Sequence, residues 1–130
     1  MKTATANHIA FTWTGKACGV NNRYVNRSYN LTSEYRHFRD DVANTCWSQN
    51  AGMRLEGDVI LVIQLTIDPA RDSDSLLKPI FDGIERSGVL ENDRQIRSYK
   101  VTVEAKRKGA PDEVRVMGWE KAEEAENEVD

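Results

Sequence analysis

The run Val59-Ile60-Leu61-Val62-Ile63-Gln64-Leu65-Thr66-Ile67 constrains this chain more than any other stretch. It is rich in β-branched residues, which pack well on a pleated surface, and it reads as a largely buried strand. Directly after it comes Arg71-Asp72-Ser73-Asp74-Ser75-Leu76-Leu77-Lys78-Pro79-Ile80-Phe81-Asp82, and then Glu91-Asn92-Asp93. Carboxylates therefore appear where the strand gives out and a helix begins. If the chain is still extended there, Asp72 and Asp74 point the same way. If Asp74 or Ser75 caps the helix, Asp74, Lys78 and Asp82 share one face at i, i+4 spacing.

Carboxylates held close together repel, so they raise one another's pKa or bind a cation. Mg²⁺ is a hard ion served by oxygen ligands, and it keeps waters that substrate phosphates displace. A neighbouring lysine offers a fixed positive charge to a phosphate oxygen. The reaction class this favours is metal-assisted phosphodiester hydrolysis. The same residue types also have a plainer use. Asp and Ser before a helix are ordinary caps, and an Asp–Lys–Asp ladder is an ordinary solvated helix face.

Resemblance separates the two. Asp72-Ser73-Asp74-Ser75-Leu76-Leu77-Lys78-Pro79-Ile80-Phe81-Asp82, followed by Asn92-Asp93-Arg94-Gln95-Ile96, resembles the RusA family of Holliday-junction resolvases. That family shows Asp-x-Asp-Asn-x-x-Lys-x-x-x-Asp and then an acidic pair leading into the next strand. Upstream, Val20-Asn21-Asn22-Arg23-Tyr24 and Leu31-Thr32-Ser33-Glu34-Tyr35-Arg36-His37-Phe38-Arg39 are similar to the family's Asn-containing loop and first helix. The likeness runs in the same order over residues 8 to 118.

The resemblance implies an endodeoxyribonuclease that resolves four-way DNA junctions by paired nicks in recombination and repair. It implies that Asp72, Asp74 and Asp93 hold Mg²⁺, with Mn²⁺ as a substitute, and that Lys78 assists at the scissile phosphate. Asp82, Ser75 and Asn92 would stand around them, and Asn21, Arg23, Arg71 and Lys78 would meet DNA. Ser75 occupies the place of the family's Asn, and Asn92 that of the first acid of the pair. Cutting a two-fold symmetric junction on opposite strands calls for a homodimer.

A net charge of −3 looks wrong for a DNA-binding protein, but its distribution matters more. From Glu120 to Asp130 the chain carries six acids and one lysine, a net −5. The remainder of the 18 basic and 21 acidic residues, 17 against 15, gives the body +2. Residues 1–119 therefore read as the nuclease-like domain, and residues 120–130 as an acidic tail, disordered or frayed. At 130 residues the chain fits one domain with a modest core. Cys18 and Cys46 have no metal-type spacing and suggest a reduced, cytoplasmic protein. No segment approaches the length of a membrane span, and no secretory leader is legible.

Ile9-Ala10-Phe11-Thr12-Trp13-Thr14 alternates as a first strand. The polar stretch from Gly15 to Asn30 reads as a loop in which Lys16, Arg23 and Arg27 alternate with Tyr24 and Tyr29, types that meet phosphates and stack on unpaired bases. A helix from Thr32 or Ser33 to about Gln49 buries Tyr35, Phe38, Val42 and Cys46, with Trp47 flanking that stripe. His37 reads as a surface or packing residue, having no partner at metal spacing. The second helix buries Leu77, Ile80, Phe81 and Ile84, with Pro79 near its first turn. A strand from about Ile96 to Lys106 turns Ile96, Tyr99, Val101 and Val103 toward the core, and Glu113–Met117 completes a hairpin with it. The order β, α, β, α, β, β defines an α+β fold, one mixed sheet with two helices packed on it.

Two other functions fit the same residues: a module that binds branched DNA without cutting it, and a small-molecule phosphohydrolase. The latter lacks a nucleotide-cradling glycine loop. The hairpin strands and Trp119 are the expected contributors to a dimer surface.

Overall fold

The structure, a computed structural model, describes residues 7–19 and 32–121. Its elements are β1 (His8–Gly15), α1 (Ser33–Gln49), β2 (Val59–Ile67), α2 (Asp74–Ser87), a single 3-10 turn (Asp93–Gln95), β3 (Ile96–Ala105) and β4 (Asp112–Glu120). The strands form one mixed sheet in the order β1-β4-β2-β3, which is the expected α+β architecture. Among the described residues, no helix is long and apolar enough to cross a membrane.

β2 lies inside the sheet, antiparallel to β4 and parallel to β3. Val59, Leu61, Ile63, Leu65 and Ile67 are fully buried on one face, while Ile60, Val62, Gln64 and Thr66 on the other are not. Each fully buried Leu or Ile stabilises the fold by about 1.5–3 kcal/mol relative to an exposed one. Cross-strand partners share a face, so Ile63, Val116 and Phe11 line one side of the sheet. Both helices cover that side, since Phe38, Val42, Leu76, Ile80 and Ile84 join the same buried cluster.

Thr32 caps α1 through its hydroxyl, which accepts from the Tyr35 amide at 3.1 Å. The expected stripe of Tyr35, Phe38, Val42 and Cys46 is buried; Trp47 is 52% exposed. Trp13 ties β1 to α1 by ring contact with Phe38 at 4.7 Å and by donating Nε1–H to Asp41 at 3.0 Å. The C-terminal end of α1 also covers the edge of β1. Asn50 Oδ1 accepts from the Ala10 amide, and the Gln49 amide group bonds both N–H and C=O of Thr12. Side chains thus occupy groups that would otherwise template another strand.

The two helices meet at Gly83, where a Cβ would lie 2.8 Å from both the Arg39 carbonyl and Val42 Cγ1. Pro79 is buried inside α2 rather than in its first turn, where a proline removes one i→i−4 bond. Gly88, at φ +90°, closes the helix in the left-handed conformation that glycine adopts freely.

Three expectations need correcting. The hairpin between the last two strands does not form: β4 enters between β1 and β2, and β3 lies outside β2. Val114 and Val116 require a central position to be fully buried, whereas Arg97, Lys100 and Glu104 suit β3 to an edge. Second, Tyr99 and Val103 do stand opposite Leu61 and Leu65 after a register shift, yet remain 51% and 45% exposed on the outermost strand. Phe81 reaches Tyr99 edge-on, 5.2 Å between ring centres. Third, Glu120 is not tail. It ends β4, and its carboxylate accepts from the Glu56 amide at 2.6 Å. Residues 122–130 lie outside the described residues.

Gly83→Ala should destabilise the protein by about 1–3 kcal/mol, since an added methyl forces the helices apart. Chemical denaturation of the variant checks this. Both cysteines are buried thiols, and burial pushes the Cys46 thiol up to about 11 from 9.0. The folded state disfavours the thiolate, so this contribution to stability is complete below about pH 9 and is lost as pH rises toward 11. Denaturation curves across that window should show a larger loss in the native chain than in Cys46→Ala.

Candidate metal centre

Beyond β2 the chain turns sharply. Asp68 Oδ1 accepts from the Ala70 amide at 3.0 Å, and Asp68 O accepts from the Arg71 amide at 2.9 Å. Asp72 Oδ1 then accepts from the Asp74 amide at 3.1 Å, an Asx-type turn that launches α2. Ser73 is the N-cap residue, with no side-chain capping bond. Ser75 donates its hydroxyl to the Asp72 carbonyl at 2.8 Å. Gly19 approaches so closely that a Cβ there would lie 2.2 Å from Ser75 Oγ. A small residue at position 75 is what this packing accepts. Asp72 and Asp74 themselves stand exposed.

Arg71, expected to meet DNA, is turned inward. Its Nη1 donates to Asp112 at 3.1 Å and its Nη2 to the Ala17 carbonyl. On the same flank a cavity of about 580 Å³ is lined by Lys16, Ala17, Cys18, Ser33, Glu34, His37 and Arg71. Burial raises the Cys18 thiol's pKa there. Asn21 and Arg23 lie outside the described residues.

Along α2, Lys78 Nζ stands 3.3 Å from Asp82 Oδ1, the i, i+4 pair that the spacing predicts. Toward the other end, Asp82, Glu85 and Asp93 each bring a carboxylate oxygen within 4.8 Å of the other two. Asp93 opens the 3-10 turn, which Asn92 caps by accepting from the Arg94 amide at 2.7 Å. Gln95 completes the box: its Oε1 accepts from the Glu91 and Asn92 amides, and its Nε2 donates to the Leu55 and Gly57 carbonyls. Asn92 thus has a positional task, presenting Asp93 to the helix.

Asp93 therefore meets Asp82 and Glu85 rather than Asp72 and Asp74. Asp74 and Asp82 are eight residues apart on one helix, about 12 Å along its axis. Within one chain the expected trio is divided between the two ends of α2, and Asp82, expected around the site, is in the cluster. Glu85 was not expected, although it stands three residues beyond Asp82, the spacing that places two side chains on one helix face.

The Asp82–Glu85–Asp93 group fits a hard divalent cation. It offers oxygen donors only, from half-buried and exposed side chains. On an octahedral Mg²⁺ adjacent oxygens lie about 3 Å apart and opposite ones about 4 Å, so the three carboxylates would have to draw together to share one ion. Lys78, paired to Asp82, puts a cation beside the same group. No protein-family model matches the chain, and no curated protein matches it.

Proposed function

We propose that this chain is a Mg²⁺-dependent, structure-selective endodeoxyribonuclease that nicks four-way DNA junctions as a homodimer. The observation that carries this reading is the carboxylate group Asp82–Glu85–Asp93 with Lys78 ion-paired at its margin. The resemblance of Asp72 to Asp82 and of Asn92 to Ile96 to the RusA family supports the substrate. Mg²⁺, when bound, supplies an activated water and charge neutralisation at the phosphate. The carboxylates orient the ion, and Lys78 Nζ stabilises charge developing on a phosphoryl oxygen. Mn²⁺ would serve in place of Mg²⁺.

A second copy accounts for the division of the acids. A two-fold contact that runs α2 against α2 places the N-terminal end of one helix beside the C-terminal end of the other. Asp72 and Asp74 of one chain would then approach Asp93 of its partner. Phe81, half-buried, and the exposed Tyr99 and Val103 supply apolar surface next to α2. The expected contributor Trp119 is 37% exposed and Met117 44%, on the opposite face of the sheet.

The reading of a junction-binding module without cleavage is favoured by one observation: Asp72 and Asn92 both make capping bonds, the plainer use of those residues. A nicking assay on a synthetic four-way junction with Mg²⁺ decides between the two. Asp74→Asn and Asp93→Asn should each reduce cleavage by about a hundredfold or more while junction binding persists or strengthens. Near wild-type cleavage by either variant removes that residue from the site. Light scattering should give a dimer at micromolar concentration, and a monomer with and without junction DNA would count against paired incision.

The boundary of the acidic tail moves to Lys121. Beyond it stand five acids and no basic residue. Truncation after Lys121 should tighten junction binding at low salt and have little effect near physiological salt, where screening acts within about 8 Å. Binding titrations at the two salt concentrations check this.

A further inference from the structure

Asp112 is the first residue of β4 and is 2% exposed. A carboxylate removed from water needs donors on its oxygens. Asp112 Oδ2 accepts from the Ala17 amide at 2.9 Å and from Arg71 Nη1 at 3.1 Å, and Oδ1 accepts from Lys106 Nζ at 2.9 Å. These donors come from three separate segments: the chain after β1, the turn between β2 and α2, and the connection between β3 and β4. Arg71 spans two of its partners at once, since Nη2 bonds the Ala17 carbonyl. Two residues on, Gly19 lies against Ser75, and Ser75 bonds the Asp72 carbonyl. The segment 17–19 thus grips the acidic turn on both sides, and Asp112 fastens that segment and Arg71 together.

Energy alone does not require this arrangement, because a buried ion pair often does no better than apolar residues of the same volume. Its geometric effect is specific. We propose that Asp112 is the positioning residue of the acidic turn, acting through Arg71 to fix where Asp72 and Asp74 present their carboxylates. The proposal rests on the nuclease reading, and it makes Arg71 a strut rather than a DNA contact.

The test uses the full chain with Asp112→Asn, Arg71→Lys and the double variant. Arg71→Lys keeps the charge but cannot span Asp112 and Ala17 together. Each single variant should raise the Mg²⁺ concentration for half-maximal junction cleavage about tenfold, the usual size of an outer-shell effect on a metal site. The double variant should add little, as residues acting through one contact are not additive. Junction affinity and its salt slope should stay unchanged. If Arg71 instead meets phosphate, Arg71→Lys will weaken junction binding without raising the Mg²⁺ requirement, and the proposal falls. It falls equally if both variants keep the wild-type Mg²⁺ requirement. Should Asp112→Asn not fold, Arg71→Lys alone decides on the same readouts. If the native chain does not cut at all, the nuclease reading fails, and amide exchange decides the positioning claim. Exchange at residues 72–75 that is faster in a variant, with the remaining core unchanged, upholds Asp112 as the anchor; unchanged exchange at 72–75 removes it.

Discussion

The parallel pairing of β2 with β3 is the constraint on which the rest of the molecule depends. Parallel neighbours cannot be joined by a tight turn, so the chain must cross back over the sheet between them. α2 is that crossover. It starts where β2 ends and finishes before β3 begins, which puts one set of acids at each of its termini. Along the helix axis Asp74 stands about 12 Å from Asp82 and about 17 Å from Glu85. Chemistry that needs both sets must therefore bring two copies together or work from one end. The same pairing leaves β3 at the margin, which exposes Tyr99 and Val103 although they face the helix side.

What positions the two acidic ends differs in kind. At the C-terminal end the neutral amides of Asn92 and Gln95 saturate nearby backbone groups and present Asp93. At the N-terminal end the turn draws its local order from short-range bonds to Asp68 and Asp72 and from the Ser75 hydroxyl. Its remaining order comes from outside, through Arg71 and the close approach of Gly19. Order borrowed from distant segments explains how a buried carboxylate on β4 bears on residues forty positions earlier in the chain.

The elements were legible because their patterns are clean: alternation in β1, a β-branched apolar run in β2, and 3-4-4 spacing in the buried face of α1. Strand pairing was not. Adjacent strands in sequence suggested a hairpin, but the partner is chosen by which strand has enough apolar surface for a central position, and Val114 and Val116 qualify where charged β3 does not. In the site, Lys78–Asp82 was legible because i, i+4 spacing is local. The division of the acids was not, since capping and metal binding draw on the same residue types and only the length of α2 separates the groups. Asp112 was hidden for another reason. Beside Pro111 it reads as a turn residue, and its burial is set by donors far away in sequence.

Lys78 and Arg71 were both expected to meet phosphate, and their surroundings decide between them. The Lys78–Asp82 pair is exposed, at 51% and 25% side-chain accessibility, and lies within one helix. Such pairs contribute about 0.3–0.5 kcal/mol, so on the proposed reading an incoming phosphate oxygen would displace Asp82 at little cost and leave its carboxylate free to turn toward a cation. Arg71 makes two charge-bearing contacts at once, one to a carboxylate that is 3% exposed. Detaching it would leave the buried Asp112 with only Lys106 and the Ala17 amide as donors and would release the Ala17 carbonyl. On the proposed nuclease reading, the half-exposed lysine is the cation free to move to substrate, and the arginine is the one that stays.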